Sequence, residues 1–153
     1  MIEIRERFDV PADPERVWAV LSDPHAVVGC VPGASIVGQD DDGALDAAVV
    51  VKFGPTRITF RMKATLVLDE PARRGSITAQ GRDGIGGTRV RSTAQFGVTP
   101  GPGGQGSSVA VDGNVEVSGR LASLIEGGAS LVVKRMSGEF AERLAARCAS
   151  HTL

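Results

Sequence analysis

The apolar and polar residues of the chain follow two different periods. Between residues 2 and 118 apolar side chains recur at every second position in several segments, which predicts strands with one buried face. Between residues 118 and 150 they recur at steps of three and four, which predicts one long helix with a single apolar stripe. That stripe consists of Leu121, Ile125, Ala129, Val132, Met136, Phe140 and Leu144. The helix therefore needs a partner surface, and the strands upstream supply it.

The alternating segments predict the order of the elements. Strands are expected over residues 2–10, 45–53, 57–68, 76–82, 89–98 and 109–118. Short turns rich in glycine and proline join the later strands, so neighbouring strands should be antiparallel. After the first strand, Asp13 can cap a short helix that has Pro14 at its first position, and a second short helix or turn ends at Gly33. This order predicts an α+β domain in which a long curved sheet wraps the terminal helix.

Many inward positions carry small residues, and these allow two interpretations. A curved sheet that faces a helix across small side chains can leave an apolar cavity. The same residues can instead let the helix lie close to the sheet. Gly127 and Gly128 raise the same question within the helix, where close approach of another backbone, room for a ligand and a kink are all open; from the sequence alone we favour close packing.

The alternation also predicts which side chains would line such a cavity. They are Val49, Val51, Phe60, Met62, Phe96, Val111, Ile125, Gly128, Ala129, Val132 and Met136. Glu6 falls on the apolar face of the first strand, which indicates either a polar group inside the cavity or a bulge or strand end that exposes it. We favour the bulge or strand end.

Composition narrows the classes of function. The 153 residues, 42% of them hydrophobic, suit one domain spanning residues 1–153. A net charge of −1 does not provide the basic face that nucleic acid requires, so no nucleic-acid partner is expected. The charged N-terminus lacks a signal sequence and no span of about 20 apolar residues occurs, which predicts a cytoplasmic protein. Cys30 and Cys148 are expected to be small buried apolar residues rather than a disulfide.

No motif indicates catalysis or metal binding. His25 and His151 have no further ligand at metal-binding spacing, and the acidic run that ends at Gly43 lacks the ligand pattern of a calcium loop. The GRDGIGG segment does not open a helix after a strand, so it is interpreted as a turn. On the inward face only Glu6 and Ser92 are polar, so no catalytic residue and no metal are predicted.

Three stretches resemble the G-subunit family of carbon monoxide dehydrogenase, within the START-like, helix-grip superfamily. They are PADPERVWAVLSDPHAVVGCVPG, VKFGPTRITFRMKATL and GRLASLIEGGASLVVKRMSGEFAERL, with Pro32-Gly33 and Gly54-Pro55 as the firmest matches. The resemblance implies a seven-stranded antiparallel sheet around the long helix, two short helices after the first strand, and an apolar cavity. It also implies an accessory protein of molybdenum-containing carbon monoxide dehydrogenases and related hydroxylases, linked to their membrane recruitment and to binding of a hydrophobic molecule such as a quinone.

The predicted function is therefore that of a non-enzymatic accessory protein. It would bind a quinone or lipid, carry no covalently bound cofactor, associate with molybdenum hydroxylase or carbon monoxide dehydrogenase subunits, and aid membrane recruitment or electron transfer. Many relatives continue into a membrane anchor, whereas the sequence stops at Leu153, so we expect only peripheral docking at the inner face of the membrane. Two alternatives stay open: an enzyme of the polyketide cyclase or aromatase type, and an assembly module without a ligand.

Overall fold

A computed structural model describes residues 1–85 and 87–149 of the protein. Within these residues the helices and strands are, in order, β1 (Ile2–Val10), α1 (Pro14–Leu21), α2 (Pro24–Cys30), β2 (Ala34–Gln39), β3 (Leu45–Phe53), β4 (Thr56–Asp69), β5 (Arg74–Asp83), β6 (Thr88–Pro100), β7 (Ser107–Gly119) and α3 (Ala122–Ala149). A single 3₁₀ turn, Pro102–Gly104, lies between β6 and β7.

The strands form one curled, open antiparallel sheet in the order β1-β7-β6-β5-β4-β3-β2. Helix α3 lies along its inner face. Its backbone approaches β1 and β7 on one side and β3 on the other, and it also contacts α1 and α2. The predicted α+β fold, with a curved seven-stranded sheet around a long C-terminal helix and two short helices after the first strand, is confirmed.

The capping residues define both short helices. The Asp13 carboxylate accepts the Arg16 N–H at 2.9 Å, and the Asp23 carboxylate accepts the His25 N–H at 3.1 Å. Each helix has a proline in its first turn, where the missing N–H costs no hydrogen bond. The segment before Gly33 that allowed a helix or a turn thus forms helix α2.

Two boundaries differ from the sequence-based prediction. Strand β2 was not predicted as a separate element, because it is short and its pairing with β3 is interrupted by a shift in register between Ile36 and Gly38. Helix α3 begins at Ala122 rather than at residue 118, because β7 continues to Gly119, whose φ of +108° ends the strand. Residue 150, the predicted end of the helix, lies outside the described residues.

The buried apolar side chains form two separate clusters at opposite ends of α3. The first, here called the α1–α2 cluster, joins α1, α2 and the C-terminal part of α3; its buried members are Val10, Val17, Trp18, Val20, Leu21, Ala26, Cys30, Val98, Val109, Leu144 and Cys148. The second, here called the hairpin cluster, lies at the β3–β4 hairpin and the first half of α3; its buried members are Phe53, Ile58, Phe60, Ile125 and Val132. The helix is therefore fixed at both ends rather than evenly along its length.

The two cysteines lie in the α1–α2 cluster as free, buried thiols, which confirms their assignment as small apolar residues. Burial raises the pKa of Cys30, against the opposing effect of the nearby Arg147 and Arg143 guanidinium groups. Burial likewise raises the pKa of Cys148, with Arg16 opposing. Both thiols are therefore held in the protonated, unreactive form.

We expect these thiols to react with Ellman's reagent only when the protein unfolds.

The raised thiol pKa values also predict how stability depends on pH. The folded-state pKa of each thiol lies above its unfolded value of about 8.5. The unfolded state therefore loses protons first as the pH rises, so the free energy of unfolding should fall above roughly pH 8.5. Urea denaturation across this pH range, with wild type and a Cys30→Ala variant, measures the effect. A stability that is flat or rises over this range would contradict the assignment.

Glycines 127 and 128 have different surroundings, and no other backbone approaches either of them. A Cβ built at Gly127 meets no heavy atom within 4 Å, and one built at Gly128 meets only the ring of Phe53, at 3.3 Å. The helix runs unbroken from Ala122 to Ala149. Gly127 is exposed to solvent, so its open surroundings do not indicate room for a ligand, whereas the geometry at Gly128 agrees with close packing against Phe53.

Candidate functional site: the inner face of the middle strands

Between the two clusters, the inner face of the sheet is incompletely covered. Along β4, Ile58 and Phe60 are buried, but the next inward residues Met62, Ala64 and Leu66 are only half-buried. The same holds across two rows of registered residues in the middle of the sheet: Ala64, Ala79, Ser92 and Val115, and Leu66, Ile77, Ala94 and Gly113. Side chains that face a helix yet retain accessible surface indicate open space between helix and sheet.

The path of α3 explains this open space. The helix approaches the sheet at β1, β7 and β3, whereas its described residues make fewer close backbone contacts with β4, β5 and β6. The small residues in the middle do not bring the helix closer. At Gly81 and Gly113 the atoms that would crowd a Cβ belong to the neighbouring strands, the Arg61 and Thr93 carbonyls among them. These glycines therefore favour the curvature of the sheet rather than close packing of the helix.

Most of the predicted cavity residues lie at the two ends of this space rather than in its middle. Six of the eleven lie together in or against the hairpin cluster: Val51, Phe60, Met62, Ile125, Val132 and Met136. Phe96 and Val111 pack instead against the α1–α2 cluster. Val49 is half-buried on β3, Ala129 is buried on α3, and Gly128 lies beside the Phe53 ring.

Phe96 closes one end of the space. Its ring centroid lies 6.1 Å from that of Trp18 on α1, and the ring covers Gly75, where a Cβ would collide with it. Phe8 and Phe140 form an edge-to-face pair at 6.0 Å on the same side. These rings are held by their neighbours, so they form an end wall rather than an adaptable lining.

The residues that line the middle of the space were not selected from the sequence. They are Leu66, Ile77, Ala79, Ala94 and Val115, all inward and half-buried. Alternation places them on the inward face, but only the strand register shows that they lie between the two clusters. Counting positions inward from each hairpin turn would have located them.

Glu6 points to the inner face without a bulge, which corrects the favoured interpretation. The β1–β7 register is continuous from Ile2↔Val115 to Val10↔Ser107, with Glu6 opposite Val111. Glu6 is half-buried and lies between the two places where β1 touches α3, the Met1 ammonium on Glu126 and the Phe8 ring on Phe140. Its carboxylate has no hydrogen-bond or ion-pair partner among the described residues.

The other polar groups on the inner face do not form a constellation with Glu6. Ser92 lies two strands away and four residues along the sheet, at roughly 16 Å from strand spacing and rise. Three buried polar residues have structural partners: Asp83 accepts the Gly87 N–H at 3.0 Å, Thr88 Oγ1 accepts the Leu121 N–H at 2.9 Å, and Ser107 Oγ donates to the Ala12 carbonyl at 2.6 Å. The inner face of the open space thus carries one carboxylate, Glu6, and one distant hydroxyl, Ser92, in a lining that is otherwise apolar.

Two further observations concern metals and membranes. Within residues 1–85 and 87–149, no three His, Cys, Asp or Glu side chains lie close enough to hold a metal ion. His25 is on α2, and His151 lies outside the described residues. Over the same residues, no helix combines the length and the apolar character needed to span a bilayer.

Solved structures with the same architecture place the fold in the START-like class. A conserved protein from Geobacillus kaustophilus is similar with a TM-score of 0.81 and 16% identity, covering 97% of this chain and 96% of that one. The Zhui aromatase/cyclase from Streptomyces sp. R1128 gives 0.67 and 13%, covering 99% and 95%. A START superfamily protein from Mycobacterium smegmatis gives 0.60 and 17%, covering 98% and 99%. At these identities the similarity shows the fold alone.

The sequence identifies the family. Residues 7–149 match the family model of CoxG, the G subunit of carbon monoxide dehydrogenase, and the chain belongs to that family. No match was found among proteins of curated function.

Proposed function

We propose that the protein is a non-enzymatic carrier that holds a hydrophobic small molecule, a quinone or a lipid, between α3 and the middle strands. The observation that supports this most directly is the pair of rows of half-buried inward residues, many of them small, between the two buried clusters. Apolar walls with few polar groups are the usual composition of a small-ligand site. Glu6 would be the polar group that orients the ligand, by accepting a hydrogen bond from a hydroxyl of its head group.

Membership of the CoxG family supports the second part of the proposal. The carrier would serve carbon monoxide dehydrogenase or a related molybdenum hydroxylase as an accessory protein, in membrane recruitment or electron transfer. A quinone is suited to this role because it accepts electrons from an oxidising enzyme and is itself apolar. No residue of this chain needs to take part in redox chemistry for such a role.

Native mass spectrometry with organic extraction tests the carrier function directly. Protein purified from its own source should carry one hydrophobic molecule per chain, and the extract should contain a quinone or a lipid. Protein that stays free of ligand, even after incubation with quinones, would instead support an assembly module whose interior contributes only to packing.

Exposed apolar side chains at one end of the molecule support peripheral contact with a membrane. Ile85 in the β5–β6 loop is 88% exposed and Leu124 in the first turn of α3 is 43% exposed. The two segments are held together, because the Arg120 N–H donates to the Gly87 carbonyl at 2.9 Å. Insertion of these side chains into the headgroup region would bring the open space near the lipid.

We expect an Ile85→Asp, Leu124→Asp variant to lose most of its binding to vesicles of phosphatidylethanolamine and phosphatidylglycerol. Each substitution replaces an apolar contact by a charge that the headgroup region disfavours. Cosedimentation measures the bound fraction. The control is Val67→Asp, because Val67 is 62% exposed on the outer face of β4. Equal losses in both proteins would show that this end does not face the membrane.

A second candidate function rests on the inward carboxylate. An enzyme of the aromatase or cyclase kind needs an acid or base inside its cavity, and Glu6 is placed where it could act on a bound polyketide. The isolation of Glu6 from Ser92 favours the carrier, because one carboxylate in an apolar lining offers no partner group.

Comparison of wild type with Glu6→Gln separates the two candidates. For a carrier, a bound quinone or a bound polyketide analogue should be extracted with unchanged mass from both proteins. Loss of water from the polyketide analogue with wild type, but not with Glu6→Gln, would establish the enzyme instead.

A further inference from the structure

The outer face of the sheet carries a row of arginines that the interior does not explain. Arg61 on β4 is registered with Arg82 on β5, and Arg82 is registered with Arg89 on β6. All three side chains are exposed. Like charges directly opposite one another destabilise antiparallel strands, so this row disfavours the fold that contains it.

The neighbouring row extends the positive charge and gives it a boundary. Lys63, Gln80 and Arg91 are registered across the same three strands, and the row ends with Asp46 on β3 and Glu116 on β7. Charges of opposite sign thus border the cationic centre on two sides.

Most of this charge is not neutralised within the chain. Lys63 forms an ion pair with Asp40 of the β2–β3 hairpin. The other four cations make no hydrogen bond or ion pair through their guanidinium groups with any described residue; they are Arg61, Arg82, Arg89 and Arg91, here called the arginine patch. Four unpaired guanidinium groups are concentrated here on a chain whose net charge is −1.

The shape of the outer face agrees with a binding surface. A depression of about 1230 Å³ is lined by the arginine patch and Lys63, against the carboxylates of Asp46 and Glu116. A second depression of about 850 Å³, at the other end of the same face, has two cations against three carboxylates in its lining, with Arg7 paired to Asp112 at 3.0 Å. The positive charge is therefore confined to one depression and is not a general feature of the face.

We propose that the arginine patch docks an acidic protein surface. The planar guanidinium group can form two parallel hydrogen bonds to a carboxylate, and arginine is enriched in protein interfaces. Adjacent strands place the three registered arginines about 5 Å apart, close to the spacing of carboxylates one turn apart on a helix. Asp46 and Glu116 limit the cationic area to a few side chains, which favours a short acidic segment of a protein over an extended anionic lipid surface or a nucleic-acid backbone. Among the described lining residues there is also no aromatic side chain on which a base could stack.

Binding of the protein to polyglutamate, measured by fluorescence anisotropy at low salt, tests this surface. We expect the patch variant Arg61→Gln, Arg82→Gln, Arg89→Gln to bind about tenfold more weakly than wild type, because it loses charge-assisted contacts. We also expect the wild-type affinity to fall as salt is added.

A control variant removes the same charge from the other end of the outer face. In Arg5→Gln, Arg7→Gln, Arg74→Gln the affinity for polyglutamate should change less than about twofold, because those arginines lie among carboxylates. Equal weakening of both variants, or no binding of polyglutamate by wild type, would overturn the proposal.

Binding of two other anions, duplex DNA and phosphatidylglycerol-containing vesicles, distinguishes an acidic protein from other classes of partner. Duplex DNA should bind more weakly than polyglutamate, and the patch variant should sediment with the phosphatidylglycerol-containing vesicles as wild type does. Tighter binding of DNA, or loss of vesicle binding in the patch variant, would assign the patch to a different partner. Because the patch lies outside the interior, these results do not depend on whether a quinone or lipid binds.

A stability measurement distinguishes loss of binding from loss of folding. Arg82→Thr removes the central charge and introduces a residue that favours strands. We expect it to raise the melting temperature by about 2 °C at low salt, with the gain disappearing in high salt, while the affinity for polyglutamate falls. A lower melting temperature would show that the arginine row contributes to the fold, and the proposal would fail.

Discussion

An Ala79→Leu, Ala94→Leu double variant should lose at least about nine-tenths of its affinity for a short-chain quinone while keeping its thermal stability. Both alanines are inward and half-buried, on adjacent strands in the middle of the sheet. Leucine there would occupy the space that the ligand needs. Since that space is open, the added apolar atoms should cause no overpacking and should lose contact with water. Quinone titration with native mass spectrometry and thermal unfolding measure the two quantities.

The matched control for this variant is Thr78→Leu, Thr93→Leu. These threonines are adjacent in sequence to the two alanines, registered with each other, and exposed on the outer face. Leucines at these positions add comparable bulk to the same two strands without entering the interior, so the affinity for quinone should be unchanged. Retained affinity in the alanine variant would place the ligand elsewhere. A fall in its melting temperature of several degrees would instead show that the interior is already filled.

Leu144→Ala should have the largest effect on stability. Leu144 is fully buried in the α1–α2 cluster, where α3 meets both short helices. Truncation of a buried leucine removes apolar contacts and leaves a cavity, at a cost of about 3 kcal/mol. For a chain of this size that corresponds to a melting temperature lower by roughly 6 to 12 °C.

Leu131→Ala is the control on the same helix. Leu131 is 78% exposed, so its truncation should change the free energy of unfolding by no more than about 0.5 kcal/mol. Denaturant unfolding of both variants gives the comparison. Similar effects from the two substitutions would show that the α1–α2 cluster does not hold the C-terminal end of the helix.

The strands with two clearly different faces could be predicted from the sequence. In β4 the alternation runs from Arg57 to Asp69, and one face is apolar while the other is mostly polar. Strand β2 could not be predicted in the same way. It has six residues, contains Gly38 and shifts its register against β3, so its period is too short and too irregular to stand out. Its place in the sheet comes from pairing with β3.

The sequence predicted which face of the sheet carries the candidate site, but not where on that face the site lies. Alternation correctly separated inward from outward residues, yet six of the eleven proposed lining residues lie in or against the hairpin cluster. Whether an inward residue lies in a packed cluster or beside open space depends on where α3 leaves the sheet. The sequence contains no local signal for that distance, because helix and strands are far apart along the chain.

Glu6 and the arginine patch show that the same limit of sequence-based prediction applies to polar residues. The position of Glu6 on an apolar face was visible in the sequence, but only the unbroken β1–β7 register shows that it points inward without a bulge. Arg61, Arg82 and Arg89 lie on outward positions of three separate segments, and nothing in those segments indicates that they are neighbours. Strand pairing brings them together.

The sequence by itself thus determined the elements, the direction of most side chains and the family, because backbone periodicity and capping are local properties and the family's motifs are contiguous. The tertiary structure alone decided which inward residues remain uncovered and which outward charges are adjacent. Both depend on the register between strands and on the path of α3 across the sheet, and these are set by packing over the whole domain rather than by any one segment.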